Sequence, residues 1–316
     1  MMDWTDRHCR FLHRLLTRRA LLFTEMVTSA AVVHGRREQL LGFDPREQPV
    51  AVQLGGSDPA ELAEAAKVAS AFGYSEVNLN VGCPSDRVQS GRFGACLMAE
   101  PELVADCIRV MRDATDLPVT VKCRIGIDEQ DTEESLDRFA DLMVAAGAQA
   151  IYVHARKAWL KGLSPKENRE IPPLDYPRVY RLAERLAPFP VMINGGIKSL
   201  KDAGEHLKHT AGVMLGRTAY HEPMLLTLVD ERFFGASRTT IELRDVIAAM
   251  AEYAEEQLRL GARLNNIARH MLGLANGRAG ARTFRQILSV ETTRRGAGPE
   301  VLWRAFDALE PELALV

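Results

Sequence analysis

The residue best placed for proton chemistry is Cys83, in the run Asn80-Val-Gly-Cys-Pro-Ser85 directly after an apolar strand pattern. A thiol on a loop beyond a strand end can hold or hand over a proton, whereas most free cysteines simply pack. Cys96, Cys107 and Cys123 fit apolar helix or strand faces, and Cys9 sits in the first helical pattern, so these four read as packing residues. Lys122 and His154 come late in two other strand patterns. A buried lysine costs several kcal/mol unless it is paired or faces an anion. Asn194-Gly195-Gly196-Ile197 leads into a helix start at Ser199, and Leu215-Gly216-Arg217 follows the next strand pattern. Glycine turns that expose N–H groups beside a helix N-terminus make a phosphate cradle. With Arg217, Lys122 and His154 this suits a phosphorylated cofactor such as FMN, ahead of a phosphorylated substrate. His206 and His209 lie three apart on a helix, but no third ligand of suitable spacing accompanies them, so they read as a solvated face and no metal is expected.

Seven short Val- and Ile-rich runs must position these residues: 21–25, 50–54, 76–81, 119–123, 150–154, 190–194 and 212–215. They start about 32 residues apart and alternate with helical patterns at 59–71, 101–114, 132–146, 177–187 and 199–207, as in repeated βα units of a parallel sheet. Within the strands an apolar set (Val50, Val52, Leu54; Val77, Leu79, Val81; Val119, Val121; Ile151, Val153; Val191, Ile193) opposes a polar one (Gln53; Asn78, Asn80; Thr120, Lys122, Arg124; Tyr152, His154, Arg156; Asn194). In a (β/α)8 barrel the apolar face meets the outer helices and the polar face fills the lumen, whose C-terminal mouth carries the site. The bland alternative is that the polar groups only satisfy one another, but five strands repeat the pattern. The chain opens on a helical pattern, Trp4–Leu16, so a barrel reading expects its first strand upstream of Met1, lost by truncation or a misassigned start; an open doubly wound sheet is the alternative fold. A long polar connection, 157–175, reads as a binding loop or lid over the mouth. From 242 onward the pattern is helical. The expected domains are therefore a barrel at 1–241 and a helical domain at 242–316.

At 47% hydrophobic and 26% charged the chain suits an ordinary globular fold, and no run approaches the roughly 20 apolar residues of a membrane span. The acidic start lacks the basic and apolar regions of a signal peptide, and five cysteines without a C-x-x-C pair suggest a reducing, cytoplasmic setting. The net charge of −2 argues against bulk-charge coating of nucleic acid. A local patch is present all the same: residues 257–298 hold eight arginines, no lysine and one acid.

The chain resembles the tRNA-dihydrouridine synthases, specifically their A-type subgroup, from Met1 through the helical C-terminal region. The resemblance rests on the blocks at 2–8 (Met-Asp-Trp-Thr-Asp-Arg-His), 53–57 (Gln-Leu-Gly-Gly-Ser), 78–87 (Asn-Leu-Asn-Val-Gly-Cys-Pro-Ser-Asp-Arg), 121–126, 154–159, 164–173 and 193–197, in that order. It implies an FMN-binding barrel followed by a helical RNA-binding domain. The activity implied is reduction of the carbon 5–carbon 6 double bond of D-loop uridines 20 and 20a, at the expense of NADPH or NADH, by what is expected to be a monomer. Carried over by motif, the flavin contacts are Met1, Gln53, Lys122, His154, Asn194, Gly195, Gly196, Gly216 and Arg217, and Cys83 is the acid. The RNA contacts are Asn80, Lys166, Arg169, Arg282 and Arg285.

The residues agree with that implication. Hydride arriving at carbon 6 leaves negative charge on the base, and a protonated thiol can supply carbon 5. The target base must leave its stack, and arginines gripping phosphates can hold the RNA while it does. Two other readings share parts of the pattern: a small-molecule FMN oxidoreductase of the dihydropyrimidine or orotate type, which needs no arginine-rich tail, and a tRNA-binding protein without activity.

Overall fold

A computed structural model describes residues 1–309. Seven strands, β1 (Leu22–Thr28), β2 (Val50–Gly55), β3 (Glu76–Val81), β4 (Val119–Arg124), β5 (Ile151–His154), β6 (Val191–Asn194) and β7 (Gly212–Met214), form one sheet in sequence order. From β2 to β7 each strand pairs in parallel with the next. Parallel neighbours in chain order, with helices between them, are the arrangement of a (β/α) barrel, here with seven staves among the described residues. The doubly wound alternative needs a break in strand order, and there is none.

Two compact units can be distinguished. The first comprises residues 1–2, 23–43 and 48–216; the second comprises 3–22, 44–47 and the chain from Arg217. In the first, the apolar strand set (Val50, Val52, Leu54, Val77, Leu79, Val119, Val121, Ile151, Val153, Ile193) is buried with Leu62 and Ala65 of the helix Pro59–Ala71, Ile108 and Met111 of Pro101–Ala114, and Phe139 and Met143 of Thr132–Ala145. Their helix spacing is the apolar stripe that covers one side of a sheet. Side-chain caps start the helices Pro59–Ala71 and Leu200–His206 where the sequence signals them. Asp58 accepts from the Glu61 amide at 3.0 Å ahead of Pro59, and Ser199 accepts from the Asp202 amide at 3.0 Å.

In the second unit the opening helix is Arg7–Leu16, shorter than the pattern from Trp4, because Asp6 caps it by accepting from the Cys9 amide at 3.0 Å. The Asp6 carboxylate also meets Arg269 at 2.6 Å and His270 at 2.9 Å. Phe11 stacks on Tyr253, with ring centroids 3.9 Å apart, and Arg10 bonds Glu47 at 2.7 Å. The helices Leu243–Arg259, Leu264–Ala268, Ala281–Val290 and Glu300–Asp307 follow. Residues 310–316, the end of the expected helical domain, lie outside the described residues. No helix among the described residues is long and apolar enough to cross a membrane.

Candidate active site

Strand register assembles the site. Asn80 pairs with Lys122, Arg124 with His154, and His154 with Asn194, so the polar set converges at the C-terminal ends of β3 to β6. Cys83 sits one turn beyond β3. Its amide and that of Gly82 donate to Asn80 Oδ1 at 3.0 and 3.1 Å, and its carbonyl accepts from the Ala95 amide at 2.9 Å. The turn lies against β4, since a Cβ added to Gly82 would come within 3.5 Å of the Lys122 carbonyl oxygen. Cys83 is half-buried, and its Sγ lies 3.6 Å from Ser85 Oγ. Burial raises the pKa of the other four thiols, Cys107 and Cys123 each to about 12, with Cys9 and Cys96 also moved up. They are packing residues, as their patterns suggest.

Lys122 is the unusual charge. Burial, and next the neighbouring Arg124, push its pKa down to about 8, and among the described residues no carboxylate stands with the groups that perturb it. Arg124 is occupied elsewhere: it donates to the carbonyls of Gly82, Lys157 and Asn168 at 3.1, 3.1 and 2.9 Å. His154 is held well below the ordinary histidine range by burial and then by Arg124, Lys122, Arg156 and Arg169, so it is neutral at pH 7. Among the described residues its buried Nε2 has no hydrogen-bond partner. An orphaned polar atom in a native interior calls for an explanation, and a bond to a ligand is one.

The Gly195 turn closes on that ring. A Cβ there would fall 2.5 Å from His154 Cδ2, and φ is +115°, so only glycine fits. Gly196, at φ +68°, leaves space that a side chain would take from Leu174 and the Tyr176 hydroxyl. Asn194 donates to the Met214 carbonyl at 2.7 Å, which ties β6 to β7 just below the turn. Gly216 lies beside Met1, whose Sδ would be 3.4 Å from an added Cβ. Gln53 donates to Asn78 Oδ1 and accepts from Asn80, each at 2.8 Å. An orphaned imidazole nitrogen, an ammonium without an acid and a side-chain-free turn fit the carbonyl-rich ring and phosphate of a flavin nucleotide. Gln53, Asn80, Cys83, Lys122, His154, Asn194 and Gly195 thus come together. Arg217 is the first residue after Gly216 and opens the short helix Arg217–His221.

Family comparison gives the same direction. The dihydrouridine synthase family model matches residues 1–310. The chain belongs to the dihydrouridine synthase family. Members of that family are flavin-dependent enzymes that reduce uridines of tRNA. Similar proteins include the tRNA-dihydrouridine(20/20a) synthases of Vibrio vulnificus (54% identical over 314 residues, covering 99% of this chain and 96% of that one), Yersinia pestis (54% over 312, covering 98% and 90%) and Salmonella typhi (56% over 307, covering 97% and 92%). Among solved structures, the old yellow enzyme homologue from Zymomonas mobilis superposes with a TM-score of 0.53 at 10% identity, over 77% of this chain and 87% of that one. A 2-naphthoyl-CoA reductase complex gives 0.55 at 11% identity, over 72% and 47%. These structures share the barrel fold.

Within this dihydrouridine synthase, Asn80 is a buried member of the Cys83 turn. Its amide oxygen takes two backbone donors and its Nδ2 gives one bond to Gln53, which leaves one N–H for another acceptor. Lys166 and Arg169 are exposed on the 157–175 loop, Lys166 just before the short turn Glu167–Arg169 and Arg169 at its end. That loop is pinned from within by the fully buried Asn168, bonded to both Trp159 backbone groups at 2.7 and 2.9 Å and to the Leu163 carbonyl at 3.1 Å. In the second unit Arg282 and Arg285 are exposed on the helix Ala281–Val290, and Arg285 bonds Asn276 at 3.2 Å. Two arginines of the rich segment meet acids: Arg269 meets Asp6 and Arg259 meets Glu255. His206 and His209 pack on Tyr176 and Tyr180, and His206 Nδ1 bonds the Tyr180 hydroxyl at 2.7 Å. Sequence reading passed over Arg124 and Asn168 as loop anchors and Glu76 as a lumen residue. Glu76 was visible as the partner of Asn78 and Asn80 at a spacing of two.

Proposed function

We propose that this chain reduces uridines 20 and 20a of the tRNA D-loop to 5,6-dihydrouridine, with FMN as the flavin and NADPH or NADH as its reductant. In this reading residues 1–241 bind flavin and residues 242–316 bind tRNA, in the cytoplasm and as a monomer. The observation that carries it is Lys122 without an acid beside the orphaned His154 Nε2 and the Gly195 turn, adjoining the turn that bears Cys83. Met1, Gln53, Asn194, Gly196, Gly216 and Arg217 complete the flavin contacts.

Reduced flavin, when bound, supplies a hydride to carbon 6 of uracil. The chain does the rest. Lys122 sets its ammonium against electron-rich oxygens, and the neutral His154 offers Nε2 as a hydrogen-bonding group rather than a second charge. Cys83 holds a proton on Sγ and releases it to carbon 5 of the base, whose negative charge develops as hydride arrives. Asn80 keeps one N–H for the base edge. Lys166, Arg169, Arg282 and Arg285 hold RNA phosphates while the uridine leaves its stack.

The test is the full chain with FMN, NADPH and tRNA lacking dihydrouridine, with products mapped by mass spectrometry. Wild type forms dihydrouridine at positions 20 and 20a. Cys83→Ala keeps flavin and tRNA affinity and slows reduction by about 10²-fold or more, the size of a general-acid contribution. Protein that stays colourless with FMN, or a Cys83→Ala variant as fast as wild type, overturns the reading.

A further inference from the structure

One unbroken line of hydrogen bonds runs through the lumen of the first unit from the Cys83 turn to the start of β3. The amides of Gly82 and Cys83 donate to Asn80 Oδ1. Backbone N–H groups can only donate, so that oxygen must be the acceptor, and every later assignment follows from it. Asn80 Nδ2 donates to Gln53 Oε1, Gln53 Nε2 to Asn78 Oδ1, and Asn78 Nδ2 to Thr120 Oγ1, each at 2.8 Å. The Thr120 hydroxyl must then give its proton to Glu76 Oε1, at 2.5 Å, while the Tyr152 hydroxyl donates to Oε2 at 3.2 Å. All the donors point one way, so each bond polarises the next.

Such a line is not needed to fill the barrel. Glu76 is 8% exposed and is met by two hydroxyls rather than a cation. Burial moves its carboxyl up from the ordinary range against those two donors. Apolar residues of the same volume commonly match or exceed the stability of such buried polar groups. What the line adds is position. Two backbone donors set its direction at the Cys83 end, and Glu76, accepting from Thr120, anchors the other end. Cutting the line at Thr120 leaves Asn78 Nδ2 without its acceptor and takes Asn78, Gln53 and Asn80 off that anchor, so the amides that carry the Cys83 turn can shift.

We infer that Glu76, Thr120 and Asn78 are positioning residues that act through Gln53 and Asn80 to hold the Cys83 turn where its thiol meets the base. This rests on the reading of Cys83 as the proton donor. The test is Thr120→Val, which keeps the shape and removes the hydroxyl, with Thr120→Ser as the restoring variant, each also made in a Cys83→Ala background. Single-turnover reduction should slow about 10- to 100-fold in Thr120→Val, the scale of a small misplacement of a reacting group, with KM for tRNA unchanged. Thr120→Ser should restore it, and in the Cys83→Ala background the valine should cost nothing further. In flavin-free protein, iodoacetamide labelling of Cys83 should change several-fold while Cys9, Cys107 and Cys123 stay protected. An equal loss in both backgrounds, or no loss, overturns the inference alone. Full activity of Cys83→Ala overturns the reading beneath it. If Thr120→Val does not fold, Glu76→Gln keeps an acceptor for Thr120 and offers a donor to the Tyr152 oxygen, so kcat holds. Glu76→Leu keeps neither and kcat falls; equal rates for these two variants also overturn the inference.

Discussion

Lys122→Met should make the flavin-free protein more stable and the flavin-loaded protein harder to form. Burial first, and Arg124 second, take the lysine from its ordinary 10.5 to about 8. Each pKa unit corresponds to about 1.4 kcal/mol, so holding the ammonium in this site at pH 7 costs about 3 kcal/mol relative to the unfolded chain. The sign follows from proton counting. Between pH 8 and 10.5 the unfolded chain binds more protons than the folded one, so the Lys122 contribution to stability rises with pH across that window. Below pH 8 it is at its most unfavourable and constant, and there methionine relieves it. At 2–4 °C per kcal/mol for domains somewhat smaller than this chain, flavin-free Lys122→Met should melt several degrees above wild type at pH 7, with the gap closing toward pH 10.5. A flavin that meets the ammonium with its oxygens recovers the cost, and truncating one partner of a buried charged contact loses about 2–5 kcal/mol. FMN affinity should therefore fall about 10²-fold in the variant. In wild type it should decline as pH rises above 8, and in the variant that decline should vanish. Differential scanning at pH 7 and 10 and flavin fluorescence titration across pH 6–10 read both arms. A variant that melts below wild type at pH 7 while binding FMN equally well refutes the reasoning.

Gly195→Ala places a methyl 2.5 Å from His154 at φ +115°, so it should cost about 1–3 kcal/mol and release flavin, seen as a lower melting temperature and a colourless protein; retained flavin at wild-type stability counts against the turn as a cradle. Arg282→Ala with Arg285→Ala should weaken tRNA binding and flatten the plot of log affinity against log salt by at most about two, one per phosphate contact, in filter-binding or anisotropy titrations. An unchanged slope removes both from the phosphate contacts.

The sequence settled what alternates. Val77, Leu79 and Val81 against Asn78 and Asn80 announce two faces because side chains on a strand point to opposite sides, and seven such runs about 32 residues apart leave few parallel folds open. It also settled where turns expose backbone, as at Gly195 and Gly196, and which cysteine follows a strand. Those signals are local, carried by residues within a few positions of one another. What only the tertiary structure decided depends on neighbours far apart in the chain. That Lys122 has no acid beside it among the described residues while Arg124, two residues on, holds three carbonyls from two loops is a matter of strand register and loop path. So is the grouping of the opening helix and Asp44–Glu47 with the chain beyond Arg217, which no single boundary along the sequence can express. The direction of the line from Glu76 to Cys83 is the clearest case: each amide can point either way by itself, and only its packed neighbours choose.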